Sequence, residues 1–240
     1  MKLSVITITR NNLSGLQKTL ASVAAQSARK DFEFIVIDGA SSDGTKEFLT
    51  AHKEEIDFFI SEADSGIYNA MNKGILHAHG AYCIFMNSGD MFADPEVVRD
   101  MLPHLDKEYA MVFGVGLDAA GKEHSAIPHV KLRHFWGVSF PHQASFIRRD
   151  LFEKYGLYRE EYRCASDIFF FYEMIFVRKI PYKVTSRIVA RNEEAGISGT
   201  ATGRKEWRHY ALHHMNFFHR VYCLLLELYA MLQKFFSGEL

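Results

Sequence analysis

The chain has 240 residues, 48% of them hydrophobic and 24% charged, with a formal net charge of −1. That supplies a sizeable core for one large domain, or for one domain with an appendage. The near-neutral balance excludes the broad basic field of a nucleic-acid binder, and no stretch reaches the ~18 apolar residues of a membrane span.

"LSVITIT" (3–9) is short, apolar and β-branched, and predicts a buried strand. Leu13, Leu16, Leu20, Val23 and Ala24 follow at helical spacing, so a helix is expected to about Gln26. "FEFIVID" (32–38) predicts a second strand, with a helix from about Thr45 after "SDGT". "IDFFISE" (56–62) and "AYCIFM" (81–86) predict two more strands, separated by a helix marked by Ile67, Ala70, Met71, Gly74 and Ile75. Strands alternating with helices imply βαβ units and a parallel sheet, and strands without polar alternation imply burial on both faces. The second half is less regular. "PEVVRDMLPHL" predicts a helix, "YAMVFGVGL", "QASFIRR" and "KVTSRIVA" predict strands, and "ASDIFFFYEMIF" (165–176) predicts a buried helix with Ser166 as a possible N-cap. Composition shifts near Gly203, and the remainder reads as helix rich in aromatics, leucines and histidines.

Cys83, Cys164 and Cys223 lie far apart in apolar stretches, without a CxxC pair, as expected of buried thiols in a reducing compartment. The opening residues show no cleavage pattern, so a cytoplasmic location is expected.

Polar residues gather where the early strands end. Thr9, Arg10 and Asn11 follow the first, and Asp38 closes the second, with Asp43 beyond it. Glu62 and Asp64 follow the third, and Asp90 follows the fourth, in "FMNSGD". In a parallel sheet those ends share one edge, where ligands bind. Each acid has an ordinary alternative: Asp43 as an N-cap or turn residue, Asp64 and Asp90 as turn residues. Taken together they would repel one another unless a cation or donor groups sat among them. A hard divalent cation with oxygen ligands, and so a phosphate-bearing substrate, fits that arrangement.

"SVITITRNN", "FIVIDGASSDGT", "EADSGIYNAMNKGI", "FMNSGD" and "ASDIFFFYEM", in this order and spacing, resemble a family 2 glycosyltransferase over roughly residues 1–200. The resemblance implies a Rossmann-like α/β fold of GT-A type: a mostly parallel central sheet flanked by helices, here with a helical C-terminal extension. It divides the chain into a domain at 1–203, with a nucleotide-binding half (1–105) and an acceptor half (106–203), and an extension at 204–240. "DSGIYNAMNKGI" with "NSGD" resembles the branch that builds bacterial surface polysaccharides.

Roles follow from the resemblance. Thr7, Thr9 and Arg10 would line the nucleotide pocket. Asp38 would accept a hydrogen bond from the base, typically uracil, since an ionised carboxylate is acceptor-only. Asp64 would lie near base and ribose, with Asn72 and Lys73 on the helix that follows, and Asn87 in the motif before Asp90. Asp90 would be the carboxylate ligand of Mg²⁺ or Mn²⁺ at the diphosphate. Asp167 matches the catalytic acid position, the general base of an inverting enzyme; its alternative is a helix-start acid facing the helix dipole. His142 and Gln143 would border the acceptor side, a structural histidine being the alternative. Expected partners are a nucleotide-diphospho-sugar, by preference a UDP-sugar, and a glycan or lipid-linked acceptor.

The pattern departs from the family at three points. One aspartate, in "DGAS", stands where many members have two; Met71 replaces a common arginine; and no Asp-x-Asp is present, Asn87 and Gly89 standing where its acids often do. One carboxylate suffices where substrate phosphates complete a Mg²⁺ shell. "RNEEAGISGTATGRK" (191–205) resembles the segment that closes over the donor, bringing Arg191, Arg204 and Lys205 near the diphosphate; a plain surface loop is the alternative. The tail suggests amphipathic helices that pack on the domain, pair two copies, or touch a membrane surface, and His209 and His213 stand four apart. Two other functions remain open. One is a sugar-nucleotide-binding or scaffolding protein without catalysis. The other is a nucleotidyltransferase, against which the stretch after the first strand lacks a Gly-rich, basic loop.

Overall fold

The computed structural model describes residues 1–106, 108–126 and 140–192, together with 202, 203, 205, 206, 209, 210 and 221. The chain forms two compact units: residues 1–161 with 166–195, and residues 162–165 with 196–240.

The larger unit opens with the expected alternation: β1 (Leu3–Thr9), α1 (Leu13–Ala24), β2 (Phe32–Asp38), α2 (Thr45–Ala51), β3 (Phe58–Ser61), α3 (Ile67–His77) and β4 (Tyr82–Phe85). It continues through β5 (Asp90–Phe92), α4 (Val97–Met101), β6 (Met111–Leu117), β7 (Glu123–Ser125), β8 (Ser145–Arg148), α5 (Asp150–Tyr155), α6 (Ser166–Tyr172) and β9 (Tyr182–Asn192). The sheet order is β3-β2-β1-β4-β8-β6-β9-β5, with β7 on β6. β1 to β4 pair in parallel, whereas β8 is antiparallel to β4 and β6, and β5 to β9. The expected mostly parallel sheet is therefore a parallel half joined to a mixed half.

Burial on both faces shows in β2. Phe32, Phe34 and Val36 enter one core, with Leu16, Leu20 and Val23 of α1. Ile35 and Ile37 enter the other, with Met71 and Ile75 of α3. Successive side chains of a strand point to opposite faces, so each face needs its own helical cover. Gly74 lets α3 lie close on β1: a Cβ there would stand 2.4 Å from Ile6 Cγ2.

The far edge of the sheet is fastened by a buried acid. Glu33 accepts hydrogen bonds from Ser4 Oγ (2.6 Å) and from the backbone N–H groups of His79 (2.6 Å) and Gly80 (2.9 Å). Burial pushes this carboxyl up, but these donors outweigh burial and hold it below its usual range.

Several expectations shift in detail. β5 and β7, three residues each, show no periodicity in the sequence. The helix expected over 165–176 is α only to Tyr172 and continues as a π turn through Glu173–Val177. Ser166 does not cap it; Ser166 Oγ accepts the Arg159 N–H at 2.6 Å.

In the second unit the Glu206 carboxylate accepts the N–H groups of Arg163 (2.6 Å) and Cys164 (3.0 Å), and Tyr162 meets Tyr210 edge-on. The expectations for 193–201, for Arg204, and for most of the tail, including His213 and Cys223, lie outside the described residues. Among the described residues no helix is long and apolar enough to cross a membrane.

Candidate functional site

β1, β2 and β3 end in register, Thr9 opposite Asp38 and Asp38 opposite Ser61. The chain leaving β4 stays beside β1, the Ser88 N–H donating to Ile8 O at 3.1 Å. The polar residues named from sequence therefore do share one edge.

The loops after β1 and β2 are zipped together. Asn11 N–H donates to Ser41 Oγ (2.7 Å), and Ser42 N–H donates to Asn11 Oδ1 (2.8 Å). Asn11 (φ 50°) and Ala40 (φ 55°) both adopt left-handed backbone, a conformation uncommon without glycine and often met at functional sites. Asp43 ties the starts of α1 and α2 together, with Gly44 at the N-cap position of α2: it accepts the Leu13 N–H at 2.9 Å and the Thr45 hydroxyl at 2.7 Å, and the Thr45 hydroxyl leads the donors that lower its carboxyl pKa.

Five of the expected binding residues have internal partners. Thr7 Oγ1 donates to Met86 O at 2.6 Å. Asp38 is fully buried, and its two oxygens accept the hydroxyls of Ser41 and Ser61, the latter at 2.6 Å. With no exposed surface, Asp38 offers a base N–H no direct contact in this conformation. Asn72 is spent on the backbone of Tyr158, donating to its carbonyl (2.9 Å) and accepting its N–H (3.0 Å), and it also donates to Glu160. His142 is buried, stacks on Phe85, and lies 3.1 Å from the Tyr158 hydroxyl; burial lowers its pKa and favours the neutral ring. Lys73 pairs with Glu62 at 2.7 Å and donates to Ala63 O at 2.9 Å, bracing the turn before α3.

The remaining residues present polar atoms at the strand ends. Thr9 Oγ1 is buried with no partner among the described residues. Arg10 is exposed and its guanidinium stands 3.8 Å from Asp64, whose side chain is only 6% exposed. Gly39 makes room for that carboxylate, since a Cβ there would lie 2.2 Å from Asp64 Oδ2. Asp64 Oδ1 also accepts the Gly66 N–H at 3.0 Å.

The turn 87–90 is fixed by a residue that sequence patterning passes over as one more helix position. Buried Thr19 accepts the Gly89 N–H at 3.0 Å, and its hydroxyl lies 2.8 Å from Asp90 O and 3.1 Å from Asn87 O. Asn12 clasps the same turn through Ser88. Asp90 opens β5 opposite Asn192 of β9, and directly opposed residues of an antiparallel pair project from one face. Burial pushes the Asp90 carboxyl up to about 7, with the Gln143 side chain and Asn87 backbone opposing that rise. Asn87 Oδ1 and Asn192 Oδ1 are buried without partners among the described residues. One carboxylate raised by burial and two unpartnered carboxamide oxygens fit a hard divalent cation, which takes oxygen ligands. Among the described residues no three His, Cys, Asp or Glu side chains gather into a metal cluster.

Asp167 stands in the first turn of α6, half-buried, and its Oδ1 accepts the Tyr68 hydroxyl at 2.6 Å. Through Tyr68 and the Tyr158 ring packed on it, Asp167 connects to His142, which lies 3.1 Å from the Tyr158 hydroxyl, and so to the segment that holds Gln143.

The profile of glycosyl transferase family 2 matches residues 4–176. The chain belongs to glycosyltransferase family 2. A relative, an uncharacterised glycosyltransferase of Mycobacterium tuberculosis, is 38% identical over 170 residues, covering 68% of this chain and 65% of its own length. A PGL/p-HBAD biosynthesis glycosyltransferase of Mycobacterium bovis is 25% identical over 84% of this chain and 81% of its own. Among solved structures, Staphylococcus aureus TarS 1–349 in complex with UDP superposes with a TM-score of 0.68 at 21% identity, covering 92% of this chain and 68% of its own. The mannosyltransferase PcManGT of Pyrobaculum calidifontis, in complex with GDP-Man and Mn²⁺, superposes with a TM-score of 0.64 at 18% identity, covering 86% and 59%. The α/β architecture of this family 2 chain is thus the GT-A arrangement of its structural neighbours.

Proposed function

We propose that this family 2 protein is an inverting glycosyltransferase that moves a sugar from a nucleotide diphosphate, a UDP-sugar by preference, to a glycan or lipid-linked acceptor in building a bacterial surface polysaccharide. The observation that carries the proposal is the chain of contacts that runs from Asp167 through Tyr68 and Tyr158 to His142, the residue before Gln143, in a family 2 chain whose strand ends gather Thr9, Arg10, Asp64 and Asp90. A single displacement needs a base on the acceptor side and charge stabilisation on the diphosphate side.

Thr9, Arg10 and Asp64 hold the nucleotide. The Arg10 guanidinium supplies a cation beside the phosphates, and Thr9 Oγ1 supplies a hydrogen-bonding group that has no internal partner. Asp38 keeps the loop around Ser41 and the end of β3 in place rather than reading the base. Asp90, with the carboxamide oxygens of Asn87 and Asn192, would hold Mg²⁺ or Mn²⁺, whose charge would stabilise the leaving diphosphate. Asp167 accepts the proton of the acceptor hydroxyl as that oxygen bonds to the anomeric carbon. The electron pair of the breaking C–O bond leaves with the diphosphate.

Asp167→Asn tests this directly. UDP binding by calorimetry is expected within twofold of wild type, while transfer falls by at least about 100-fold, the lower end of general-base contributions. Transfer that persists in this variant removes Asp167 from the reaction. UDP binding without turnover on any acceptor in the wild-type protein would favour a non-catalytic binder.

A further inference from the structure

Tyr68 is the second residue of α3 and is 4% exposed. Its ring packs against Tyr158, and its hydroxyl ends on Asp167 Oδ1, 99 positions along the chain, at 2.6 Å. Asp167 itself sits near the start of a seven-residue helix, where an aspartate side chain has several staggered rotamers open to it. Among the described residues the Tyr68 hydroxyl is the side-chain donor that selects one of them.

The same helix is tied to the chain ahead of α6 at two more points. Asn72 brackets the Tyr158 backbone, and Asn69 Nδ2 donates to Glu160 at 2.9 Å. At its start, Gly66 donates to Asp64. α3 therefore joins the turn that carries Asp64 to the segment that carries Asp167. Burial and the facing Asp167 charge push the Tyr68 phenol far up, so it remains a donor at every working pH.

We infer that Tyr68 is a positioning residue for the transfer step. It occupies Oδ1 of Asp167, leaves Oδ2 to accept the proton of the attacking hydroxyl, and links that orientation through α3 to the Asp64 turn. This rests on Asp167 being the base. In the balanced step the acceptor O–H proton goes to Asp167 Oδ2, the acceptor oxygen bonds to the anomeric carbon, and the diphosphate leaves with the electron pair.

Tyr68→Phe removes the hydroxyl and keeps the ring. The assay is UDP release from UDP-glucose and UDP-N-acetylglucosamine, and GDP release from GDP-mannose, with Mn²⁺ and water as acceptor. Calorimetric UDP affinity is measured on the same preparation. We expect kcat to fall about 10- to 100-fold, as for loss of a hydrogen bond to a charged group. Donor KM and UDP affinity should stay within twofold. A variant that merely loosens α3 would lose UDP affinity in parallel, and that result overturns the positioning role, as does an unchanged kcat. Should Tyr68→Phe unfold, Asp167→Glu replaces it. It moves the carboxylate by one methylene beyond the fixed hydroxyl, and the same fall in kcat at unchanged UDP affinity is expected, whereas an unchanged kcat overturns the role. Asp167→Asn runs alongside: activity retained there removes the base assignment itself, whereas an inactive Asp167→Asn with an unaffected Tyr68→Phe removes only the positioning role.

Discussion

Gly39→Ala probes the proposed nucleotide side of the strand-end edge with a single methyl group. Gly39 is buried at the end of β2 and lacks the positive φ that would forbid alanine, so the perturbation is steric alone. The new Cβ would stand 2.2 Å from Asp64 Oδ2 and 3.2 Å from Arg10 Cδ. An ordinary carbon contact needs about 3.5 Å, so the Asp64 carboxylate must withdraw by about 1.3 Å. It has little room to do so, being 6% exposed and held by the Gly66 N–H. Overpacking of this kind costs about 1–3 kcal/mol. If Asp64 and Arg10 hold the nucleotide, that cost appears as a loss of UDP affinity of about 5- to 150-fold. Calorimetry with UDP and Mn²⁺, with a melting curve on the same sample, reads it. UDP affinity within twofold of wild type, in a protein that melts normally, would refute the placement of the nucleotide beside Asp64.

Two further outcomes concern the frame and the cation. Glu33→Ala removes the one acceptor shared by three donors, and should lower unfolding free energy by about 2–4 kcal/mol in urea denaturation. Because the folded carboxyl is held below the usual glutamate range, its contribution is complete above that range and is lost as pH falls through the folded value; the variant should therefore show a flatter stability profile below pH ~4.5. A profile identical to wild type in that window would discount the network. Asn192→Ala should weaken Mn²⁺ binding in the presence of UDP about 10-fold by electron paramagnetic resonance, in line with the sensitivity of metal sites to their supporting groups. Unchanged Mn²⁺ affinity would remove the carboxamide from the site.

The parallel half of the fold was legible because β1, β2 and β4 are short, largely apolar runs without regular polar alternation, and α1 carries a clean helical stripe. The grouping of Thr9, Asp38 and Asp90 at one edge followed from that topology alone. What the residues do there was less legible, since it depends on partners distant in sequence. Asp38 is silenced by Ser61, 23 positions on, and Asn72 by the backbone of Tyr158. Tyr68 reads as one apolar position of α3 until its hydroxyl is placed on Asp167. Asn192 closes a strand whose partner, β5, is too short to show any period, so its register opposite Asp90 has no signature in the sequence. For Asp43 the N-cap and turn readings stood side by side; Gly44 takes the N-cap position of α2, and Asp43 is the turn residue that holds Leu13 and Thr45.

The central claim is that this crevice binds a nucleotide-diphospho-sugar and breaks its anomeric C–O bond with the help of a divalent cation. The direct test is release of nucleoside diphosphate by the wild-type protein from a panel of UDP- and GDP-sugars, with Mn²⁺, with Mg²⁺, and with a chelator. Release from at least one donor that requires the cation and stops on chelation is the predicted result. Release unaffected by chelation would contradict the cation's part in the account, and an absence of both binding and release across the panel would contradict the account itself.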